Sequence, residues 1–141
     1  MMMVEREILE ALQKGVTAAV AASILPTLPV RYKGRIFGIP NDGKYLEIVH
    51  IPNNINGEFW NTGKTYRGLF RLILHWPVDD AGAYAPLDVI ASIASHFSIG
   101  AVFQKNSVQV KVYQEPDLTG VIESAPDQLF PVTIRYESFQ P

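Results

Sequence analysis

Three histidines, His50, His75 and His96, are the side chains in this sequence that could move protons near neutral pH or ligate a metal. His50 and His75 fall on successive segments of alternating apolar character, so they could become neighbours across a sheet. Asp79 or Asp80 could then complete a metal or acid–base site. No third ligand follows at metal-binding spacing, and the plainer reading is ordinary strand and helix histidines. Asp79-Asp80 is the one pair of adjacent acids on a turn. Adjacent acids on a turn point apart into water, and here they precede a helix whose dipole favours them. Glu115, Asp117 and Glu123 read in the same way, as loop acids. No G-x-S-x-G elbow, P-loop, H-E-x-x-H or G-x-G-x-x-G occurs. Gly34 and Gly38 frame a short glycine pattern on a strand, outside any phosphate-loop context. Cysteine is absent, which excludes a thiolate nucleophile, thiolate zinc sites and disulfides. No catalytic, metal or cofactor-binding residue is assigned, and an enzyme is not expected.

Binding chemistry is better represented. Arg67 and Arg71 share one face of an alternating segment, with Lys64 before it, and form a short basic stripe able to meet an acidic partner. A solvated sheet face would carry the same residues. Ile55, Phe59 and Trp60 sit in the otherwise polar segment Pro52–Lys64, among Asn53, Asn54, Asn56, Gly57, Asn61 and Gly63. Large apolar groups in a loop either dock on another protein or fold back over the chain's own core. Of these two readings, the interface is the one carried forward, with Ile55, Phe59, Trp60, Arg67 and Arg71 as its residues.

These residues need elements to hold them. Val4–Ile24 reads as a helix, because Ile8, Leu9, Leu12, Val16, Ala19 and Val20 recur at helical spacing. Gly15 weakens its middle, and Pro26 and Pro29 stop it. Val30–Phe37 and Tyr45–Ile51 read as strands joined into a hairpin by the Pro40-Asn41-Asp42-Gly43 turn, with Pro52 ending the pairing. Thr65–Trp76 is the clearest strand. Tyr66, Phe70, Leu72, Leu74 and Trp76 share one face, with Arg67, Arg71 and His75 on the other. A second helix opens at Pro86 and stops near Gly100. Ala101–Gln104 and Ser107–Gln114 form a hairpin turning at Lys105-Asn106. Glu115–Gln128 is a long connection, and Leu129–Phe139 is the last strand. The expected fold is α+β: one domain over residues 1–141, with a mostly antiparallel, mixed sheet and two helices on one face.

Composition agrees with this. The chain has 141 residues, 48% of them hydrophobic and 11% aromatic, enough for one real core. Twelve basic residues against fourteen acidic ones give a net charge of −2, without the basic excess of a dedicated nucleic-acid binder. The apolar stretch Val16–Leu25 is too short to span a bilayer and lacks signal-peptide flanks, so a protein folded in a reducing compartment is expected.

The layout resembles the tail terminator (tail-completion) proteins of long-tailed bacteriophages, lambda U-like, and related prophage proteins of unassigned function. The likeness spans nearly the whole chain. It rests on the opening helix Glu5–Val20, a strand pair and the aromatic strand Tyr66–Trp76. Tyr84-Ala85-Pro86-Leu87-Asp88-Val89-Ile90-Ala91 then leads to Phe97, and the chain closes with Val132-Thr133-Ile134-Arg135-Tyr136-Glu137. The resemblance implies a structural role in virion assembly: a homo-oligomeric ring, hexameric in the assembled tail. Such a ring caps the tail tube, stops its polymerisation and offers a head-attachment surface. The implied partners are further copies of the chain, the tail tube protein and a head-completion or connector protein, with no membrane and no nucleic-acid recognition. The implied location is the head-proximal end of the virion tail, reached by assembly in the host cytoplasm. The aromatic segment Pro52–Lys64 is longer than in the simpler members. Two other readings stay open: another neck, minor tail or head-closure component, and a small ligand-binding or enzymatic α+β domain around His50 and His75.

Overall fold

In the computed structural model, residues 4–57, 64–79, 82–124 and 126–140 are described. The chain opens with helix α1 (Val4–Ala21), followed by β1 (Val30–Arg31), β2 (Tyr45–Gly57) and β3 (Lys64–Pro77). Helix α2 (Tyr84–Ala94) runs into a 3-10 turn (Ser95–Phe97). The remaining strands are β4 (Val102–Lys105), β5 (Val108–Val112), β6 (Asp117–Leu118), β7 (Ile122–Ser124) and β8 (Asp127–Gln140). They form one sheet in the order β1-β2-β3-β8-β5-β4, with β6 and β7 both pairing with β8. Only β1 and β2 run parallel among the described strands. The expected α+β class, with a mixed sheet and both helices on one face, is what is found.

Strand alternation builds the core. Leu46 and Ile48 of β2, Phe70, Leu72, Leu74 and Trp76 of β3, and Phe130, Val132, Ile134 and Tyr136 of β8 are all buried, and all are even-numbered. Successive side chains point to opposite faces, so one face of three long strands enters the core. There it meets Ile8, Leu12, Val16 and Ala19 of α1 and Val89, Ile90 and Ile93 of α2. Burial of each large aliphatic group here stabilises the fold by roughly 1.5–3 kcal/mol.

Several sequence expectations are corrected. Val30–Phe37 is not one strand, and it forms no hairpin with β2. Gly34 takes a φ of 81°, and Arg35 donates its amide back to the Tyr32 carbonyl at 3.3 Å, so the chain turns away after Arg31. The Pro40–Gly43 turn does form, with the Gly43 amide on the Pro40 carbonyl. It brings the chain back to lie parallel to β1, with Val30 opposite Leu46.

Pro52 does not end the pairing either; β2 continues to Gly57 and stays in register with Lys64 of β3. The Leu46 amide donates outward to the Pro29 carbonyl at 2.9 Å. Two-residue alternation puts the Pro52 nitrogen on that same outer edge, where no ladder bond to β3 is lost. Just beyond it the partners shift from Pro52–Gly68 to Ile55–Tyr66, a bulge with one extra residue in β2.

The connection Glu115–Gln128 holds β6 and β7, each laid along β8. Helix α2 begins at Tyr84, two residues before the expected proline. Gly15 also has a reason to be there. A Cβ at this position would stand 2.6 Å from two ring carbons of Phe103, so glycine lets β4 approach α1.

Candidate assembly surface

His50 and His75 do not form a joint site. His50 pairs with Phe70 and lies on the core face, whereas His75 pairs with Tyr45 on the other face. His50 Nε2 is 2.5 Å from the Tyr136 hydroxyl, inside the sheet. Burial pushes the imidazole below its ordinary pKa, opposed by the negative charge of Glu5, and pushes the phenol well above its own. A protonated phenol donating to an unprotonated Nε2 fits both shifts. His75 stacks on Tyr45, with ring centroids 4.2 Å apart, and its Nε2 is 2.9 Å from Glu47. His96 is exposed in the 3-10 turn, and Asp79 is exposed after β3, while Asp80 lies outside the described residues. Among the described residues no three His, Cys, Asp or Glu side chains group as metal ligands. No described helix is long and apolar enough to cross a membrane.

The five expected interface residues separate. Phe59 and Trp60 lie outside the described residues. Ile55 is on β2 past the bulge, opposite Tyr66. Arg67 and Arg71 share the odd-numbered face of β3, away from both helices. Arg67 is exposed, 3.4 Å from Glu137, with its guanidinium 5.8 Å from the centre of the Tyr113 ring. Such an exposed pair contributes at most about 1 kcal/mol.

Arg71 is different. It is half-buried between Val49 on β2 and Thr133 on β8, its register partners. Arg135 lies diagonally beyond, opposite Leu69. Arg71 Nε and Thr133 Oγ1 are both buried, and neither has a hydrogen-bond partner among the described residues. Arg71 and Arg135 have no ion pair among them either. A buried polar group without a partner costs roughly 1–3 kcal/mol, which sets this pair apart from the rest of the face.

The surrounding face is apolar for a solvent face. Val49, Leu69, Ile73 and Leu129 are half-buried there, Ile51 is exposed, and both helices lie on the opposite side. Sequence reading missed Thr133 and Arg135 as members of this group. Alternation in the last strand gives their face, but only the β3–β8 register sets them beside Arg71.

The arrangement offers cations and apolar groups for binding on a sheet face away from both helices. A family model described as phage tail terminator protein matches residues 7–136. No curated protein matches. A solved structure of a protein whose name states no function superposes with a TM-score of 0.77 at 24% identity, covering 95% of each chain, which is a likeness of fold.

Proposed function

The chain belongs to the phage tail terminator family, structural proteins of the virion tail, and from that premise we propose that it forms a ring closing the head-proximal end of the tail tube. The ring, a hexamer in the assembled tail, stops tube polymerisation and presents the surface to which the head attaches. Its partners are further copies of itself, the tail tube protein and a head-completion or connector protein. It assembles in the host cytoplasm as a structural part, without catalysis or a cofactor. The observation that carries this reading is the open sheet face with Arg71 and Thr133 left unsatisfied. A chain built to work alone would cover such a face or make it polar. Ile55, Phe59 and Trp60 are assigned to the same interface, and Arg67 adds charge on the face of Arg71.

Purified tube protein polymerising with and without this chain tests the proposal. Shorter tubes carrying a ring at one end are expected in electron micrographs. Tubes that elongate unchanged at stoichiometric excess overturn it. If Trp60→Ala leaves ring formation and capping intact, Trp60 does not belong to the interface.

A further inference from the structure

Helix α2 presents an unusual outer surface. Asp88 is its only charged residue. Tyr84, Ala85, Asp88 and Ala91 are exposed, Tyr84 at 82%, and Ser95 continues the stripe into the 3-10 turn. A surface helix ordinarily turns a charged face to water, and one apolar nearly all round is ordinarily covered. Here the inner stripe Val89, Ile90 and Ile93 is buried against the sheet, so the outer stripe is what remains to be covered.

On the other side of the chain, the odd face of β2, β3 and β8 carries half-buried Val49, Leu69, Ile73 and Leu129 and exposed Ile51. Among them stand two half-buried arginines, Arg71 and Arg135, that have no ion pair among the described residues. We propose that the outer stripe of α2 docks on this sheet face of a second copy, with the Asp88 carboxylate accepting from the guanidinium groups of Arg71 and Arg135 of its neighbour. This rests on the ring reading given above and says which two surfaces close the ring.

The match is one of size as well as charge. An eleven-residue helix is roughly 16 Å long and reaches across three strands spaced about 4.8 Å apart. Small Ala85 and Ala91 let the helix approach closely, and Tyr84 supplies an aromatic anchor. Asp117, opposite Thr133 on β6, is exposed at the rim of the same face. It forms no ion pair with either arginine, so both remain for the incoming acid. Stripe and face lie on opposite sides of one chain, so the contact is heterologous and propagates head to tail until the rotation closes.

The test uses full-length chains and light scattering, with circular dichroism confirming that each variant is folded. Asp88 is exposed, so Asp88→Arg should fold and should lose the ring. Asp88→Asn should weaken self-association about 30-fold or more, as expected when one side of a desolvated charge pair is removed. Arg71→Glu removes the other side, and Arg135→Glu does so at a less buried position should Arg71→Glu fail to fold. The decisive arm mixes Asp88→Arg with a folded arginine variant. One contact then keeps the native acid–arginine pair and the next carries it with the charges reversed, so rings that neither variant forms alone are expected, and a mixture that fails to form them overturns the pairing. Rings from Asp88→Arg indistinguishable from wild type overturn the pairing while leaving the ring reading intact. A wild-type chain that stays monomeric with and without tail tubes overturns both. Asp88→Arg chains that still form rings but no longer cap tubes would assign the stripe to the tube protein instead, and would also overturn the pairing.

Discussion

Gly68→Ala is the most exacting test of how β2, β3 and β8 are held together. Gly68 sits opposite Pro52 on one side and Tyr136 on the other. A Cβ there would stand 2.5 Å from the Tyr136 hydroxyl, 2.8 Å from its ring and 2.8 Å from the Ile51 carbonyl oxygen. The carbonyl belongs to the backbone ladder, and Tyr136 is 1% exposed, so neither neighbour can give way freely. Overpacking of this kind costs about 1–3 kcal/mol. If Tyr136 moves, its bond to His50 goes too, adding roughly 1–3 kcal/mol for buried groups left unpaired. Alanine recovers about 0.5–1 kcal/mol of backbone entropy. The net loss is roughly 2–4 kcal/mol, which lowers the melting temperature by about 5–15 °C at this chain length. Urea and thermal unfolding followed by circular dichroism read it directly. The same substitution in a Tyr136→Phe background removes the atom that clashes first, so the two effects should be non-additive by about 1 kcal/mol or more. A Gly68→Ala protein within about 0.5 kcal/mol of wild type, or strict additivity in the double variant, would refute this account of the packing.

Two further outcomes follow from the same contacts. Gly15→Ala should destabilise by about 1 kcal/mol, because crowding Phe103 outweighs a helix-propensity gain of about 1 kcal/mol; a raised urea midpoint would mean that the ring swings clear at no cost. His50 is held below its ordinary pKa of 6.5, so near and below that pH the unfolded chain binds the proton more readily than the folded one. Stability contributed by neutral His50 is therefore complete above pH 6.5 and drains away as pH falls towards the folded-state value. Urea midpoints measured from pH 7.5 down to 5 should fall for wild type and fall less for His50→Gln, and parallel curves would show that other groups carry the acid sensitivity.

The parts of the fold legible in the sequence are those where a local rule and the tertiary outcome agree. The 3.6-residue stripe of α1 and the strict alternation of Tyr66–Trp76 gave the right element and the right buried face, because the core selects those positions directly. Misreadings came where a local signal depends on a neighbour. Pro52 looked like a terminator because a proline removes an amide, but the amide it lacks points outward, and only the pairing of Leu46 with Pro29 reveals that. His50 and His75 looked like partners because both lie on adjacent strands, yet positions of opposite parity in this register lie on opposite faces. Glu115–Gln128 looked like a loop because Pro116, Gly120 and Pro126 dominate it, and its two short strands exist only because β8 offers an edge. The candidate surface was half legible. Arg67 and Arg71 share a face by parity alone, whereas Thr133 joins Arg71 only through the β3–β8 register.

The open face also explains why residues there are neither core nor solvent in character. A strand side chain that faces water throughout is best served by short polar or charged groups. Val49, Leu69 and Ile73 are none of these, and Thr133 is buried to 2% exposure on a face that neither helix covers. The single-charge stripe of α2 is the complementary departure on the other side of the chain. Each surface alone would be a liability, since an apolar sheet face or an apolar helix invites nonspecific contact. Placed on opposite sides of one chain, with the acid on one and the arginines on the other, they would in the proposed contact satisfy each other only between copies and only in one direction. In the proposed ring, the number of copies would be fixed by the angle between stripe and face within a single chain. That angle is set by the packing of Val89, Ile90 and Ile93 of α2 in the core shared with β3 and β8. Repacking those positions should alter ring closure without touching any residue of the interface itself.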